Sequence, residues 1–214
     1  MAFRKMFGGG PRFVADWLVV GLGNPGEQYA RTRHNLGFWV VNELARRAGT
    51  QPKAQGSTMH IGVGHLQGQK IALVKPKTYV NASGKAVNQA MQWTGCDLAH
   101  TILAYDDIDM GVGALRIRAG GGTGGHNGLK SIVASVGADF VRVRMGIGRP
   151  TRGGEPTWDP DAVADWVLSN PAGEDRRILE ETARLAADAI EMIMTEGPEA
   201  AANRYNRREP KAAT

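Results

Sequence analysis

The chain is 214 residues long, 42% of them hydrophobic and 22% charged, which fits one globular domain with a substantial core. Its single cysteine, Cys96, excludes an internal disulfide and a cysteine-rich zinc site, and no apolar run approaches the roughly 18 residues of a membrane span. The 26 Lys and Arg residues against 21 Asp and Glu give a net charge of +5, which modestly favours a phosphate-bearing partner.

The N-terminal half predicts a strand, a helix and a hairpin in that order. Residues 1–14 are basic and rich in glycine but lack the apolar stretch of a secretory signal, so we expect a disordered extension. A buried strand is expected at 17–23, and the apolar spacing at 38–48 predicts a helix with one buried face. The segments 61–66 and 70–74 flank a Gly-containing turn, which is the pattern of a β-hairpin.

The following region continues the alternation of strands and helices. Helices are expected at 83–94 and 127–136, and strands at 101–105 and 113–118. The clearest strand is 140–148, where apolar residues alternate with arginine or glycine. Because successive side chains of a strand point to opposite faces, this strand is expected to have one apolar and one basic face.

The C-terminal region predicts two helices. Asp159 and Pro160 have the signature of an N-cap followed by proline at the first helical position, and this helix is expected to turn Val163, Trp166 and Val167 inward. A longer helix is expected after the next proline, with an apolar stripe at helical spacing made of Ile178, Thr182, Leu185, Ala189 and Ile193.

The order of these elements predicts a single α/β domain over residues 15–206. Its core is expected to be a twisted, mixed and largely parallel β-sheet flanked by helices. The Gly-rich stretch 151–157 is expected to be a mobile loop, and the polar tail 207–214 is expected to be frayed.

Basic residues concentrate in one part of the chain. Between residues 115 and 152 the only acidic residue is Asp139. The basic residues of this stretch are Arg116, Arg118, Lys130, Arg142, Arg144, Arg149 and Arg152. A local basic surface of this kind suits a phosphate-bearing partner, although solubility alone would also explain it.

Two Gly-rich segments resemble phosphate-binding motifs but lack their context. Residues 21–26 have the G-x-G-x-x-G spacing after a strand, yet the next helical pattern starts only near Phe38, which disfavours a dinucleotide site. The segment 120–128 is not followed by the Gly-Lys-Ser/Thr of a P-loop. Its glycines favour a loop whose backbone approaches a ligand closely, because glycine has no Cβ in the way.

His34 is the best candidate for a general base. It lies in a polar loop, and Asp106, at the end of a predicted strand, is the natural carboxylate to orient it. Asp107 and Asp109 are rivals that fit solvated or turn-capping roles better, and the three carboxylates could alternatively hold a cation. The absence of a nucleophile elbow disfavours a covalent intermediate.

Direct attack by water would then need donors for the developing oxyanion. Side-chain amides can serve, and three asparagines lie at the mouths of predicted turns, namely Asn24, Asn81 and Asn127.

Read together, five segments resemble the bacterial-type peptidyl-tRNA hydrolase family. They occur in the family's order and with similar intervals between about Leu18 and Asn203. The segments are 21–26 (GLGNPG), 32–35 (TRHN), 81–85 (NASGK), 106–109 (DDID) and 124–130 (GGHNGLK). The resemblance implies an enzyme that hydrolyses the ester between a peptide and the 3′-terminal ribose of tRNA, and so recycles tRNA from peptidyl-tRNA released by stalled ribosomes.

The resemblance also implies roles for individual residues. His34 matches the catalytic base, Asp106 the carboxylate that orients it, and Asn24 a residue that holds the reacting group. The positions matching those that bind the peptide and the tRNA end are Tyr29, Val80, Asn81, His126 and Asn127. The positions matching those that grip tRNA phosphate are Arg118, Lys130 and Arg144. Val80 stands where the family often has Met, which affects the expected shape of the peptide groove.

We further expect a cytoplasmic monomer, because the single cysteine fits a reducing compartment and no heptad seam or large exposed apolar stripe argues for a dimer. We expect neither a metal nor a cofactor, since no metal-ligand motif is present, and the expected partner is peptidyl-tRNA and not a membrane. The main alternative is a catalytically silent relative that binds RNA, like hydrolase-like splicing factors. The intact pair His34 and Asp106 disfavours this alternative, because a pure binding protein need not retain a base and its carboxylate. A nucleotide-dependent oxidoreductase is a third hypothesis, and it would require NAD to bind.

Overall fold

A seven-stranded mixed sheet forms the centre of the computed structural model, which describes residues 12–206. Its strands are β1 (Trp17–Gly21), β2 (Lys53–Gln55), β3 (Met59–Leu66), β4 (Gln69–Pro76), β5 (Thr101–Asp107), β6 (Leu115–Ala119) and β7 (Val141–Gly146). They lie in the order β2-β3-β4-β1-β5-β7-β6. The central strands β4, β1, β5 and β7 run parallel, whereas β2, β3 and β6 pair antiparallel at the edges. The predicted mixed, largely parallel sheet is confirmed.

Helices cover both faces of this sheet. They are α1 (Leu36–Arg47), α2 (Ser83–Thr94), α3 (Asn127–Val136), α4 (Pro160–Leu168), α5 (Gly173–Glu196) and α6 (Pro198–Tyr205). One core lies between the sheet and α1, α5 and α6, and a second lies between the sheet and α2 and α3. Coverage on both sides explains why Leu18, Val19 and Val20 are all fully buried and form a continuous apolar run.

Most predicted elements are observed near their expected bounds. The helices predicted at 83–94 and 127–136 match α2 and α3, and the predicted hairpin is the pair β3 and β4. Helix α1 begins at Leu36, two residues earlier than expected, because a 3-10 turn at Arg33–Asn35 leads into it. The capping prediction for α4 is also correct, since the Asp159 side chain accepts a hydrogen bond from the Ala162 backbone N–H at 2.9 Å.

Three features were not predicted. Strand β2 is only three residues long and polar, so it carries no periodic signal. Helix α6 is separated from α5 by Gly197, whose φ of +89° interrupts the helical backbone. The expected loop at 151–157 contains a small hairpin of β8 (Thr151–Arg152) and β9 (Glu155–Pro156).

The apolar stripes expected on the last helices are partly observed. On α4, Trp166 and Val167 are half-buried and pack against the core, as predicted, whereas Val163 is half-buried in the lining of an open cavity. On α5, Ile178 and Leu185 are half-buried, whereas Thr182, Ala189 and Ile193 are buried as expected. The buried face of α5 is completed by Leu179, Ala183, Ala186, Ala187, Ile190 and Met194. Small alanines allow α5 to pack closely, so its buried face is wider than one stripe of large residues predicts.

The N-terminus of α1 lies directly against the sheet. A Cβ on Gly21 would lie 2.1 Å from the Gly37 carbonyl oxygen, and a Cβ on Gly37 would lie 2.3 Å from the Ala104 carbonyl oxygen. Only glycine fits at such distances. This contact brings the turn that precedes α1 to the carboxyl edge of the parallel strands, where ligand sites of α/β sheets occur.

The predicted extension and tail lie mostly outside residues 12–206, so the domain limits stay a prediction. Residues 12 and 13 are within the described part, and their backbone N–H groups donate to the Trp93 carbonyl at 3.0 and 3.2 Å. The Phe13 ring stacks on Trp93 with centroids 6.1 Å apart. Between residues 12 and 206, no helix has the length and apolar character that crossing a bilayer requires.

Candidate active site

His34 and Asp106 meet at the carboxyl edge of the sheet. His34 lies on the 3-10 turn Arg33–Asn35, and Asp106 lies near the end of β5. The His34 Nδ1 atom is 2.9 Å from each carboxylate oxygen of Asp106, whose side chain is 3% exposed. Since a carboxylate only accepts, Nδ1 carries the hydrogen, and the lone pair of neutral His34 resides on Nε2. This arrangement orients the ring and makes Nε2 the basic atom.

The two side chains shift each other's protonation equilibrium. Burial lowers the pKa of His34, but the charge and hydrogen bond of Asp106 outweigh it, so the His34 pKa is raised above 6.5. Burial raises the pKa of Asp106, but the positive charge of His34, the nearby His126 ring and the hydrogen bond from His34 lower it well below its usual range. Asp106 is therefore ionised and stabilises a protonated His34.

His126 lies beside this pair. Its Nδ1 atom accepts a hydrogen bond from the Leu129 backbone N–H at 3.3 Å and caps α3, so Nε2 carries the hydrogen of the neutral ring. Nε2 is buried and lies 3.7 Å from Asp106 Oδ1, and the His34 and His126 ring centroids are 5.6 Å apart. His126 therefore directs a donor toward the carboxylate.

The same three side chains could coordinate an ion. Potential ligand atoms of His34, Asp106 and His126 lie within 4.8 Å of one another. Two imidazoles and a carboxylate are suitable ligands for a divalent transition metal. However, the Nδ1 of His34 and the oxygens of Asp106 already satisfy one another by hydrogen bonding. The expectation that the protein works without a metal stays a prediction.

Asn24 is held rigidly next to the His34 turn. Its backbone N–H donates to Asn35 Oδ1 at 2.8 Å, and Asn35 Nδ2 donates to the Asn24 carbonyl at 2.9 Å. The Asn24 Oδ1 atom accepts from the Val80 backbone N–H at 3.0 Å, so the Nδ2 group is the end that can donate to a ligand. Sequence reasoning missed Asn35, which lies beside His34 but gave no separate signal of this role.

Val80 and Asn81 lie on a second 3-10 turn, Val80–Ala82, next to the start of α3. A Cβ on Gly128 would lie 2.7 Å from Val80 Cγ1, so Val80 packs on that glycine and is buried. Asn81 and Asn127 are exposed. The buried contact thus packs the Val80–Ala82 turn against the first turn of α3, and the asparagine side chains face solvent.

Two tyrosines form an aromatic edge on this side of the site. The rings of Tyr29 and Tyr79 lie 6.5 Å apart at 82°, and Tyr79 is 60% exposed. Tyr79 directly precedes the turn that carries Val80, and the Val80 backbone N–H donates to Asn24. Tyr29, Val80 and Asn81 therefore lie together on the Asn24 side of His34.

A cavity of about 900 Å³ opens on the other side of His34. Its lining includes the predicted site residues His34, Asp106, Arg118, His126, Asn127, Lys130 and Arg144. Helix α4 and the Gly-rich loop 120–125 also contribute to its lining. The structure therefore brings the predicted base and the predicted phosphate-binding side chains to one cavity, while Asn24, Tyr29, Val80 and Asn81 lie outside its lining.

The arginines around this cavity differ in their surroundings. Arg144 is paired with Asp107 through two contacts of 2.7 Å, and Arg118 and Lys130 are exposed. Arg142 is 2% exposed, donates to the carbonyls of two loop glycines and lies 4.5 Å from the centre of the Phe140 ring. The basic face predicted for β7 therefore has one buried arginine that supports the Gly-rich loop.

Several glycines of the Gly-rich loop have no neighbouring atoms where a side chain would begin. An added Cβ would meet nothing within 4 Å at Gly122, Gly124 or Gly125, and the last two have φ of +53° and +77°. Such positive φ angles favour glycine. The loop can therefore present its backbone to a ligand, as its composition predicts.

The carboxylates next to Asp106 are not simply solvated. Asp107 Oδ1 accepts from the Asp109 backbone N–H at 3.0 Å, which is the expected turn-capping contact, while Oδ2 pairs with Arg144. Asp109 pairs with Arg149. Both carboxylates thus neutralise arginines at the cavity, and this second role depends on contacts between segments that are distant in the chain.

Arg33 is another residue that sequence reasoning missed. It is 5% exposed, its guanidinium donates to Ser169 Oγ at 2.7 Å and Asp175 Oδ2 at 2.8 Å, and it stacks 3.8 Å from the centre of the Trp166 ring. Its backbone N–H also donates to the Ser169 carbonyl at 3.1 Å. Arg33 therefore connects the turn that carries His34 to the end of α4 through side-chain and backbone hydrogen bonds.

Comparisons with known proteins agree over most of the chain. A family model described as peptidyl-tRNA hydrolase matches residues 18–213. The peptidyl-tRNA hydrolase of Chloroflexus aggregans is 47% identical over 192 residues, covering 89% of this chain and 98% of that protein. That of Lachnospira eligens is 42% identical, covering 89% and 99%. A crystal structure of peptidyl-tRNA hydrolase from Acinetobacter baumannii superposes with a TM-score of 0.83 and 33% identity, covering 92% and 98%.

Proposed function

Because this chain belongs to the peptidyl-tRNA hydrolase family, it is a hydrolase of peptidyl-tRNA, and we propose that His34 is the base that activates the attacking water. The bond cleaved is the ester between the peptide, or an N-blocked aminoacyl group, and the 3′-terminal ribose of tRNA. The observation that carries the assignment of the base is the hydrogen bond from His34 Nδ1 to the buried carboxylate of Asp106, which leaves Nε2 as the basic atom. This activity recycles tRNA from peptidyl-tRNA released by stalled ribosomes.

The reaction follows from the protonation states of this pair. Neutral His34 takes a proton from water through Nε2 as the water oxygen attacks the ester carbonyl carbon. The ionised Asp106 stabilises the resulting imidazolium, as its depressed pKa permits. When the tetrahedral intermediate collapses, the carbon–oxygen bond to the ribose breaks and His34 returns the proton to the ribose oxygen. The products are a free peptide carboxyl group and tRNA with its terminal hydroxyl restored.

Amide groups surround the reacting ester in this proposal. Asn24 holds the reacting group through its Nδ2 donor, because its Oδ1 is already used by Val80. Asn81 and Asn127 bind the peptide backbone and the water or oxyanion, and both are exposed. A donor aimed at a developing oxyanion stabilises the transition state more than the ground state.

The remaining predicted contacts divide between the peptide and the tRNA. Tyr29 and Val80 border the peptide and the tRNA end on the Asn24 side, and the His126 Nε2 donor supports the carboxylate or a bound carbonyl. Exposed Arg118 and Lys130, together with Arg144, contact tRNA phosphate from the cavity lining. Arginine suits this contact because its planar fork binds phosphate through two hydrogen bonds.

The finer expectations belong to the same proposal. We expect the enzyme to work in the cytoplasm as a monomer, with neither metal nor cofactor. If no metal is needed, activity should be retained in a chelator. If the protein is a monomer, light scattering should give a single mass equal to that of one chain.

A direct test uses an N-acetylaminoacyl-tRNA and, separately, the unblocked aminoacyl-tRNA in a chelator. We expect ester hydrolysis of the blocked substrate, and a His34→Ala variant should lose about 10²- to 10⁴-fold in kcat because the base is gone. Binding of tRNA should remain near the wild-type level, since the phosphate contacts are untouched.

The matched control is His65→Ala, because His65 is an exposed histidine in the β3–β4 hairpin. Its turnover should equal that of the wild type. Near-wild-type activity of His34→Ala would refute the assignment of the base. Absence of hydrolysis by the wild type, with tRNA still bound, would instead support the silent RNA-binding alternative, which the intact His34–Asp106 pair disfavours.

A further inference from the structure

Trp158 is unusually exposed for a large aromatic side chain. It is 71% exposed, the highest value among the large hydrophobic residues between positions 12 and 206. It also contributes to the lining of the cavity that contains His34. An exposed aromatic residue beside a ligand cavity is a candidate contact, since tryptophan has a large π-face and is enriched at binding surfaces.

The position of this ring is supported from its surroundings. The Arg149 guanidinium lies 5.0 Å from the centre of the Trp158 ring, pairs with Asp109 and donates to the Thr157 carbonyl at 3.4 Å. On the other side of Trp158 in the chain, Asp159 caps α4. Because both neighbours in the chain are held and Arg149 lies against the ring, Trp158 is preorganised with much of its surface free.

The charges around the cavity indicate what can stack on that free surface. Arg118 and Lys130 line the same cavity and are exposed, so an anionic ligand is favoured there. Of the groups proposed for the peptide and the ester end of the tRNA, Tyr29, Val80 and Asn81 lie instead on the Asn24 side, outside the cavity lining, whereas Asn127 lines the cavity. A ligand that combines flat aromatic groups with anionic linkages is a single-stranded nucleic acid, which binds by stacking and by charge.

We propose that Trp158 is a stacking platform for a nucleobase of the single-stranded 3′ end of the tRNA. The proposal rests on the proposed function and adds a binding subsite to it. Trp158 holds the end of the RNA while the ester reaches His34, and it takes no part in proton transfer. Since every base has a π-face, this contact tolerates any sequence.

The test compares two RNA probes, deacylated tRNA and the same tRNA shortened by its single-stranded 3′ nucleotides. We expect Trp158→Ala to bind intact tRNA about tenfold more weakly than the wild type does, as loss of one stacked base implies. With shortened tRNA the two proteins should bind equally. Trp158→Phe should recover most of the affinity, whereas Trp158→Leu should not, because leucine retains apolar surface but has no π-face.

Leu168→Ala is the matched control, since Leu168 is 41% exposed on α4 and does not contribute to the cavity lining. It should bind both RNAs as the wild type does. Equal binding of intact tRNA by wild type and Trp158→Ala would overturn the proposal, and so would an equal loss of affinity for both RNAs.

A kinetic measurement tests whether Trp158 contacts the RNA or the peptide. It also distinguishes failure of this proposal from failure of the proposed function. Turnover of N-acetylglycyl-tRNA and N-acetylphenylalanyl-tRNA by Trp158→Ala should show the same increase in KM and little change in kcat. A penalty found only with the phenylalanyl substrate would assign the ring to the peptide and overturn the proposal. A failure of the proposed function would look different, because wild-type hydrolysis itself would be absent.

Discussion

At the scale of single residues, the chemistry depends on which nitrogen of His34 is free. The Asp106 carboxylate accepts from Nδ1 at 2.9 Å, and burial of that carboxylate makes its charge act strongly on the ring. The raised pKa of His34 means that wild-type kcat/KM should fall as the pH decreases through a value above 6.5, where the base becomes protonated.

In Asp106→Asn, the decrease of kcat/KM on the acidic side of the pH profile should occur at lower pH than in the wild type. Burial, which lowers the His34 pKa, would remain, while the charge of Asp106, which raises it, would be lost. The plateau rate should also fall, on the order of 10²- to 10⁴-fold, because the imidazolium loses its counter-charge. Asp97→Asn is the control, as it alters a remote, exposed pair in which Asp97 Oδ1 lies 2.7 Å from His100 Nδ1. An unshifted decrease of kcat/KM in Asp106→Asn would contradict the role of Asp106.

At the scale of elements, the site depends on how closely α1 approaches the sheet. The turn that carries His34 leads directly into α1, whose Gly37 faces the Ala104 carbonyl two residues before Asp106. One glycine contact therefore sets the separation between the two elements that carry His34, the proposed base, and Asp106.

Gly37→Ala should damage both stability and activity. Its Cβ would lie 2.3 Å from a backbone oxygen, which cannot move as a flexible side chain can, so the free energy of unfolding should fall by about 1–3 kcal/mol. Displacement of the His34 turn should also reduce kcat. Urea unfolding and steady-state kinetics measure the two effects. Gly111→Ala, whose Cβ would meet nothing within 4 Å, should be close to neutral, and a Gly37→Ala protein as stable and active as wild type would contradict this account.

At the scale of the whole molecule, charge placement matters more than the net charge of +5. Arg118, Lys130 and Arg144 line the cavity that contains the base, whereas many arginines of α1 and α5 are paired with acidic residues on the same or a neighbouring helix. The basic stretch found in the sequence thus becomes a local surface next to His34.

Replacing Arg118 and Arg144 together by Ala should weaken substrate capture and flatten its salt dependence. Each lost phosphate contact should reduce the slope of log KM against log salt by about 0.7–0.9. The control replaces Arg177 and Arg184 of α5, which removes the same charge from residues paired with Glu174 and Glu181. An unchanged slope in the Arg118 and Arg144 variant would show that these two side chains do not contact phosphate.

From the sequence alone we could predict the family, the order of the main helices and strands, and the candidate pair of His34 and Asp106. Apolar periodicity is a local property, so α2 and α3 could be predicted to the residue. Asp106 could be chosen because strand ends of a parallel sheet converge on one edge. The ordered motifs identified the family because several short segments at similar intervals are far more specific than any one of them.

Packing between distant segments, in contrast, gives similar residues different roles. Arg142 and Arg144 occupy equivalent alternating positions along β7. Arg142 is nevertheless buried under the Gly-rich loop, whereas Arg144 pairs with Asp107 at the cavity. Arg33 and Asn35 flank His34, and nothing in the local sequence distinguishes their roles. Arg33 binds Ser169 at the end of α4, whereas Asn35 hydrogen-bonds to the Asn24 backbone. The physical reason is that burial and hydrogen bonding depend on segments distant in the chain, which local sequence patterns do not encode.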